Sequence, residues 1–62
     1  MTTSKIKDIK KGEFFMVKDS KVVYIRGDYE RSLKKYSAIR ADDANSERFF
    51  KADKEVLIGF TY

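Results

Sequence analysis

Apolar and polar residues alternate along most of this chain with a period of two. Successive side chains of a β-strand point to opposite faces, so this pattern predicts strands with one face buried. Aromatic and β-branched residues, which favour strands, occupy many of the apolar positions. We predict five strands, over residues 13–17, 22–29, 35–41, 48–51 and 55–62.

The predicted strand over residues 22–29 has the strongest alternation. Val23, Ile25, Gly27 and Tyr29 share one of its faces, and we expect this face to enter the core. A glycine inside a strand predicts a bulge, a bend or a close approach of another backbone. The core residues predicted from the two best strands are Val23, Ile25, Val56 or Leu57, Ile58 and Phe60.

Short polar segments separate the predicted strands, as in hairpins. Residues 1–5 are predicted to be frayed. Ile6 and Ile9 are three residues apart, which fits one helical turn. Asp and Asn side chains cap helices and turns, so residues 42–47 predict a second helical or 3₁₀ turn.

A small open sheet would leave one face bare and two edges unpaired, and closure into a barrel removes both problems. We therefore predict an all-β fold, a small five-stranded antiparallel SH3-like barrel with at most one or two short helical turns. The barrel forms a single domain over residues 1–62, and an OB-like barrel is the nearest alternative. The strand sequences KGEFF, VYIRG, FFK and VLIGF resemble those of small SH3-like β-barrel proteins, including short uncharacterised proteins of bacteria and their phages. The resemblance implies a fold class and no activity.

The composition excludes several kinds of chemistry. The 62 residues include no cysteine and no histidine, which removes disulfides, thiol nucleophiles and metal sites built from these residues. The serines have no histidine partner, and the chain has no glycine-rich phosphate loop. We expect a non-catalytic protein without a cofactor. No apolar run is long enough to span a bilayer and no secretory signal begins the chain, so we expect a cytoplasmic protein that does not bind membranes.

An acidic segment offers oxygen ligands over a few residues. Asp42, Asp43, Asn45 and Glu47 carry groups that Ca²⁺ or Mg²⁺ accepts. The segment lacks the glycine and the distal glutamate of an EF-hand loop. We interpret it as a capping turn and predict no metal site.

Tyrosine and basic residues are concentrated in the hairpin over residues 22–40, and the net charge of the chain is +4. Aromatic rings stack on exposed bases, and basic side chains neutralise phosphates. The lysine-rich N-terminal segment is a candidate basic arm. The predicted nucleic-acid-binding residues are Tyr24, Arg26, Arg31, Lys34, Lys35, Tyr36 and Arg40 of the hairpin, and Lys10 and Lys11 of the arm.

The strand register decides which hairpin residues share a face. If Tyr29 pairs with Tyr36 in a regular ladder, Tyr24 and Arg26 lie on the opposite face from Arg40. A one-residue bulge at Gly27 or in the turn would instead align Arg26 with Arg40. It would also bring Tyr24 and Tyr36 to one face.

Two functions from different classes remain open. The first is a binding module for DNA or RNA that is tolerant of sequence. The second is a protein-interaction or assembly adaptor, including one encoded by a phage, that uses exposed aromatic residues such as Phe49 or Tyr62. A structural subunit without activity of its own is a third reading.

Overall fold

The computed structural model describes residues 2–18 and 20–60. The end of the last predicted strand and the predicted contact residue Tyr62 lie outside the described residues. The described chain forms six strands and one 3₁₀ turn: β1 (Thr2–Lys5), the 3₁₀ turn (Ile6–Asp8), β2 (Phe14–Val17), β3 (Val23–Glu30), β4 (Lys35–Arg40), β5 (Asp43–Lys51) and β6 (Glu55–Ile58). The all-β fold and the short helical turn near Ile6 are confirmed.

The strands form one open antiparallel sheet in the order β1-β6-β2-β3-β4-β5. Strands β2 to β5 are a meander in which consecutive strands are neighbours. Strand β6 then returns to pair with β2, the first strand of the meander. No helix in the described part of the chain is long and apolar enough to cross a membrane.

The prediction that residues 1–5 are frayed is wrong for the residues described. Thr2–Lys5 forms β1, which pairs with β6 in a register that places Lys5 opposite Glu55. Without β1, strand β6 would present an unpaired edge. The partner strand lies about fifty residues away along the chain, so no local sequence pattern predicts this pairing.

The predicted helical turn over residues 42–47 is also wrong. Strand β5 begins at Asp43 and pairs with β4 along most of its length. The Asp43 carboxylate accepts hydrogen bonds from the Asn45 backbone N–H at 3.1 Å and the Ser46 hydroxyl at 2.8 Å. The same side-chain chemistry that caps helices therefore stabilises the start of a strand, at a register shift between the Arg40–Asp43 and Ile39–Glu47 pairs.

The core lies on one face of the sheet, which we call the inner face. Its buried residues are Ile6, Ile9, Phe15, Tyr24, Ala38, Phe50 and Val56. Three of its rings form a cluster: the ring centroids of Phe15 and Tyr24 are 5.7 Å apart, those of Tyr24 and Phe50 5.5 Å, and those of Phe15 and Phe50 5.9 Å. Such contacts add to the free energy gained from burying the rings.

The aromatic cluster shows that the sheet is strongly curled. Phe15 lies on β2 and Phe50 on β5, with β3 and β4 between them. In a flat sheet, three strand spacings would separate these positions by about 14 Å. The 3₁₀ turn, which follows β1, binds the connection between β5 and β6: the Ile6 N–H donates to the Lys54 carbonyl at 3.0 Å and the Lys7 N–H to the Ala52 carbonyl at 3.2 Å.

The predicted core face of β3 is wrong. Tyr24 is 3% exposed, whereas Val23 and Ile25 are half-buried on the opposite, outer face. Both faces of β3 carry apolar residues, and the large rings fill the space enclosed by the curl. Val56 is buried as predicted, and Ile58 packs against the core.

Candidate functional site

A bulge in β3 determines the geometry of the predicted binding hairpin. Arg26 pairs with Ala38 and Tyr29 pairs with Tyr36, so β3 has one residue more than β4 between these pairs. The extra residue reverses the alternation of side chains. Arg26 and Tyr29 therefore both lie on the inner face with Tyr36, although they are three residues apart.

The observed register combines parts of the two alternatives that the sequence left open, and it does not align Arg26 with Arg40. Tyr29 pairs with Tyr36, and the bulge brings Tyr24 to the same face as Tyr36. Arg26, however, lies opposite Ala38, and it is Tyr24 that lies opposite Arg40. The bulge is located between Arg26 and Tyr29 and not in the turn, so the register beyond it moves by one residue.

Gly27 makes this bulge possible. A Cβ atom at this position would collide with the Ser37 side-chain oxygen and would lie 3.3 Å from the Ser37 carbonyl oxygen. Glycine lets the two backbones approach closely, as expected for a glycine inside a strand.

Arg26, Tyr29 and Tyr36 form a stacked cluster, which we call the Arg26 stack. The Arg26 Cζ atom is 4.1 Å from the centroid of the Tyr36 ring, within the range of a cation–π interaction. The ring centroids of Tyr29 and Tyr36 are 4.9 Å apart, at an interplanar angle of 59°. Tyr29 is 43% exposed and forms the outer end of the stack.

Among the described residues, the Arg26 guanidinium has an aromatic contact and no acidic partner. Its Nε atom is buried and has no hydrogen-bond partner among the described residues. In that part of the chain the ion pairs join Lys11 to Asp28 and Arg40 to Asp42. Buried polar atoms are normally hydrogen-bonded, so this Nε is an unsatisfied donor.

The turn between β3 and β4 adds positive charge beside the stack. Arg31 and Lys34 are exposed in this turn, and Lys35 follows at the start of β4. The Glu30 carboxylate accepts hydrogen bonds from the Ser32 hydroxyl at 2.9 Å and the Ser32 N–H at 3.3 Å. The structure therefore keeps these three predicted residues at one end of the hairpin.

Arg40 is placed differently from Arg26. Its Nε and Nη2 atoms donate to the two carboxylate oxygens of Asp42 at 3.1 and 3.2 Å. The hydrogen bond to Asp42, followed by the charge of Asp42, raises the pKa of Arg40. The guanidinium is already neutralised by a bidentate partner, and it lies on β4 opposite Tyr24.

The N-terminal lysines form no free arm in the described residues. Lys10 and Lys11 lie in the connection between the 3₁₀ turn and β2, where the Gly12 N–H donates to the Arg26 carbonyl at 2.8 Å. The Lys11 Nζ atom is 2.9 Å from an Asp28 carboxylate oxygen, and both side chains are exposed. Exposed pairs of this kind contribute little and exchange readily for another anion.

Tyr24 is a core residue, which differs from its predicted role on the binding surface. Its ring packs against those of Phe15 and Phe50, and too little of it is exposed to stack on a base.

Sequence reasoning missed Arg48. This residue pairs with Ala38 on the inner face, and its Cζ atom is 5.8 Å from the Phe50 ring centroid. Arg26 and Arg48 thus flank the small side chain of Ala38 on neighbouring strands. The signal was the alternation of Ser46, Arg48 and Phe50, which becomes visible only when β5 starts earlier than predicted.

The acidic segment carries no metal centre in the described residues, where no three candidate ligand side chains are grouped to hold an ion. Asp42 is paired with Arg40, and Asp43 is engaged by Ser46 and Asn45. Comparison of the chain with protein-family models, with curated proteins and with solved structures found no match.

Proposed function

We propose that this protein is a binding module for nucleic acid that is tolerant of sequence, and that its primary contact is the Arg26 stack. The observation that carries the proposal is the Arg26 guanidinium, which is stacked on Tyr36 and has no acidic partner among the described residues. The exposed Tyr29 ring packs against the same Tyr36 ring. A phosphate oxygen can accept from the arginine while a base stacks on the tyrosine.

The charge around the stack supports this reading. Lys11, Arg31 and Lys34 are exposed near the strand that carries Arg26, and Lys35 lies at the start of β4. Neutralising phosphates with such side chains releases counterions and drives binding without reading sequence. Asp28 opposes this field, although it is already paired with Lys11.

We further infer that the curled sheet is an SH3-like barrel. Two contacts support this inference: β6 pairs with β2, and the 3₁₀ turn hydrogen-bonds to the connection between β5 and β6. Together they bring the two ends of the sheet close to closure. The proposed activity is binding in the cytoplasm, without catalysis and without a cofactor.

The test is a fluorescence-polarisation titration with labelled single- and double-stranded DNA and RNA at low and high salt. We expect affinity to fall steeply as salt rises. Arg26→Gln should weaken binding and reduce the salt dependence by about one phosphate contact. Tyr29→Ala should cost about 1–3 kcal/mol with single strands if the ring stacks on a base.

The chain offers matched controls for both variants. Arg40→Gln removes the same charge as Arg26→Gln, but from a guanidinium already engaged by Asp42, so its effect should be smaller. Leu33→Ala removes an exposed apolar side chain from the adjacent turn and should leave binding unchanged. Absence of binding at low salt would overturn the proposal, as would equal losses from Arg26→Gln and Arg40→Gln.

The adaptor function is the second candidate, and the outer face favours it. Ile39 and Phe49 lie on neighbouring strands and are 37% and 38% exposed, and half-buried Val23 and Ile25 continue the apolar surface on β3. Exposed apolar side chains in a group mark protein contacts. An adaptor would show no salt-dependent binding to any polynucleotide. Phe49→Ala would abolish its binding to the protein partner.

A further inference from the structure

A groove separate from the Arg26 stack lies between the β2–β3 connection and the turn that joins β5 to β6. Its volume is about 350 Å³. Val17 and Ser20 line one side, and Lys51 and Lys54 line the other. Val17 and the exposed ring of Phe49 supply apolar lining, so the groove has both an apolar and a charged lining.

The lining of this groove is strongly basic. Lys35, Arg48, Lys51 and Lys54 line it, against the single acidic residue Asp53. None of these side chains takes part in an ion pair within the residues described. Basic residues that line one groove favour the binding of an anion there.

The size of the groove sets the size of its ligand. Pockets for small molecules span about 300–1,000 Å³, so this groove fits a ligand at the lower end of that range. A nucleotide combines a flat apolar base with an anionic phosphate, which matches the two kinds of lining. A paired base inside a duplex cannot leave its stack without a cost, whereas a base of a single strand is available.

The groove is also within reach of a single-stranded nucleic acid bound at the Arg26 stack. Arg26, Ala38 and Arg48 form one row across β3, β4 and β5 on the inner face. Two strand spacings place the backbones of the two arginines about 10 Å apart. Arg48 lines the groove, so one row of residues connects the two regions.

We propose that this groove binds one nucleotide of a single strand, with the base against the apolar lining and the phosphate among Arg48, Lys51 and Lys54. The inference rests on the proposed function and extends it, because it makes single-stranded nucleic acid the substrate class. Duplexes then contact only the Arg26 stack and its basic surroundings.

The first experiment is an amide NMR titration of the full chain with thymidine monophosphate, thymidine and inorganic phosphate. We expect the monophosphate to shift the amide resonances of residues 17, 20, 48–51 and 54. It should bind more tightly than thymidine or inorganic phosphate alone. Arg48→Gln and Lys54→Gln should each weaken the monophosphate about tenfold, the order expected for loss of a charge-assisted hydrogen bond. Lys5→Gln removes the same charge from a residue of β1 that does not line the groove, and should have little effect.

The second experiment compares labelled oligothymidylate of about 12 nucleotides, a length within the site sizes of small single-strand binders, with the duplex formed by its complement. Single strands should bind the wild type more tightly, and Arg48→Gln should remove this preference while duplex affinity changes little. If single strands and duplexes bind equally and the groove amides do not move, the groove inference is wrong while the proposed function stands. If no polynucleotide binds but the monophosphate shifts the groove amides, the proposed function is wrong and the groove is a site for small anions. If neither binds, both fail.

Discussion

At the scale of single residues, Asp43 shows how a strand end is held by side-chain hydrogen bonds. The Ser46 hydroxyl and the Asn45 N–H both donate to its carboxylate. These bonds favour the charged form and lower the pKa of Asp43 below its usual 3.8, the hydroxyl contributing most. A carboxyl group with a lowered pKa stabilises the folded state above its unfolded pKa, and this stabilisation is lost as pH falls through the folded value.

We predict that Ser46→Ala raises the pKa of Asp43, because it removes the larger of the two causes. An NMR titration of the Asp43 carboxyl carbon measures this directly. Ser32→Ala is the matched control, since the Ser32 hydroxyl donates to Glu30 and not to Asp43. The wild type should also lose more stability than the variant when pH falls through the pKa of Asp43, because the variant has less of this stabilisation to lose. An unchanged titration midpoint in Ser46→Ala would show that the hydroxyl bond is not formed in solution.

The face that a residue occupies could be predicted only in part from its neighbours. Alternation correctly separates Tyr24 from Val23 and Ile25, because the period of two is a local property of a strand. It does not say which face is enclosed when both are apolar. That choice follows from the direction in which the sheet curls, which depends on contacts such as Phe15 with Phe50 that lie far apart in sequence.

At the scale of elements, the bulge of β3 assembles the candidate site. Gly27 in a strand predicted an irregularity of this kind, and Tyr29 with Tyr36 was one of the pairings considered. The sequence did not show that Arg26 and Tyr29 share a face. That result depends on the bulge lying between the Arg26–Ala38 pair and the Tyr29–Tyr36 pair. The first half of β5 was missed for a related reason: its polar residues resemble a capping turn, and only the register with β4 shows otherwise.

We predict that Gly27→Ala destabilises the protein by about 1–3 kcal/mol through crowding against Ser37. Urea unfolding of the single and double variants tests the cause. In a Ser37→Ala background the cost of Gly27→Ala should be smaller, because the closest colliding atom is gone while the backbone contact remains. Equal costs in both backgrounds would assign the effect to the backbone and not to the Ser37 side chain.

The same variant links the bulge to the candidate site. If crowding at Gly27 shifts the register of β3, Arg26 and Tyr29 no longer share the face of Tyr36. Nucleic-acid affinity should then fall in Gly27→Ala and recover with stability in the double variant. This outcome would show that the bulge at Gly27, which does not itself contact the ligand, determines the arrangement of the Arg26 stack.

At the scale of the whole molecule, a curled sheet is stable only if its open side is covered. The 3₁₀ turn provides this cover: Ile6 is fully buried in the core, and the backbone of the same turn donates to the β5–β6 connection. A domain of this size buries only about 60% of its unfolded surface, so each buried side chain carries a large share of the stability. The N-terminal segment, of which residues 1–5 were predicted to be frayed, is thus part of the closure.

We predict that Ile6→Ala leaves the protein largely unfolded at room temperature. Replacing a buried isoleucine by alanine costs about 2–5 kcal/mol, and the core of a domain this small supplies only about 3–5 kcal/mol. Ile39→Ala is the matched control, because the same atoms are removed from the outer face, where Ile39 is 37% exposed, and the cost should be about 1 kcal/mol or less. Thermal and urea unfolding followed by circular dichroism measure both variants. Similar losses in the two would mean that the 3₁₀ turn does not close the curled sheet, and that β2 to β6 form a core that is stable without it.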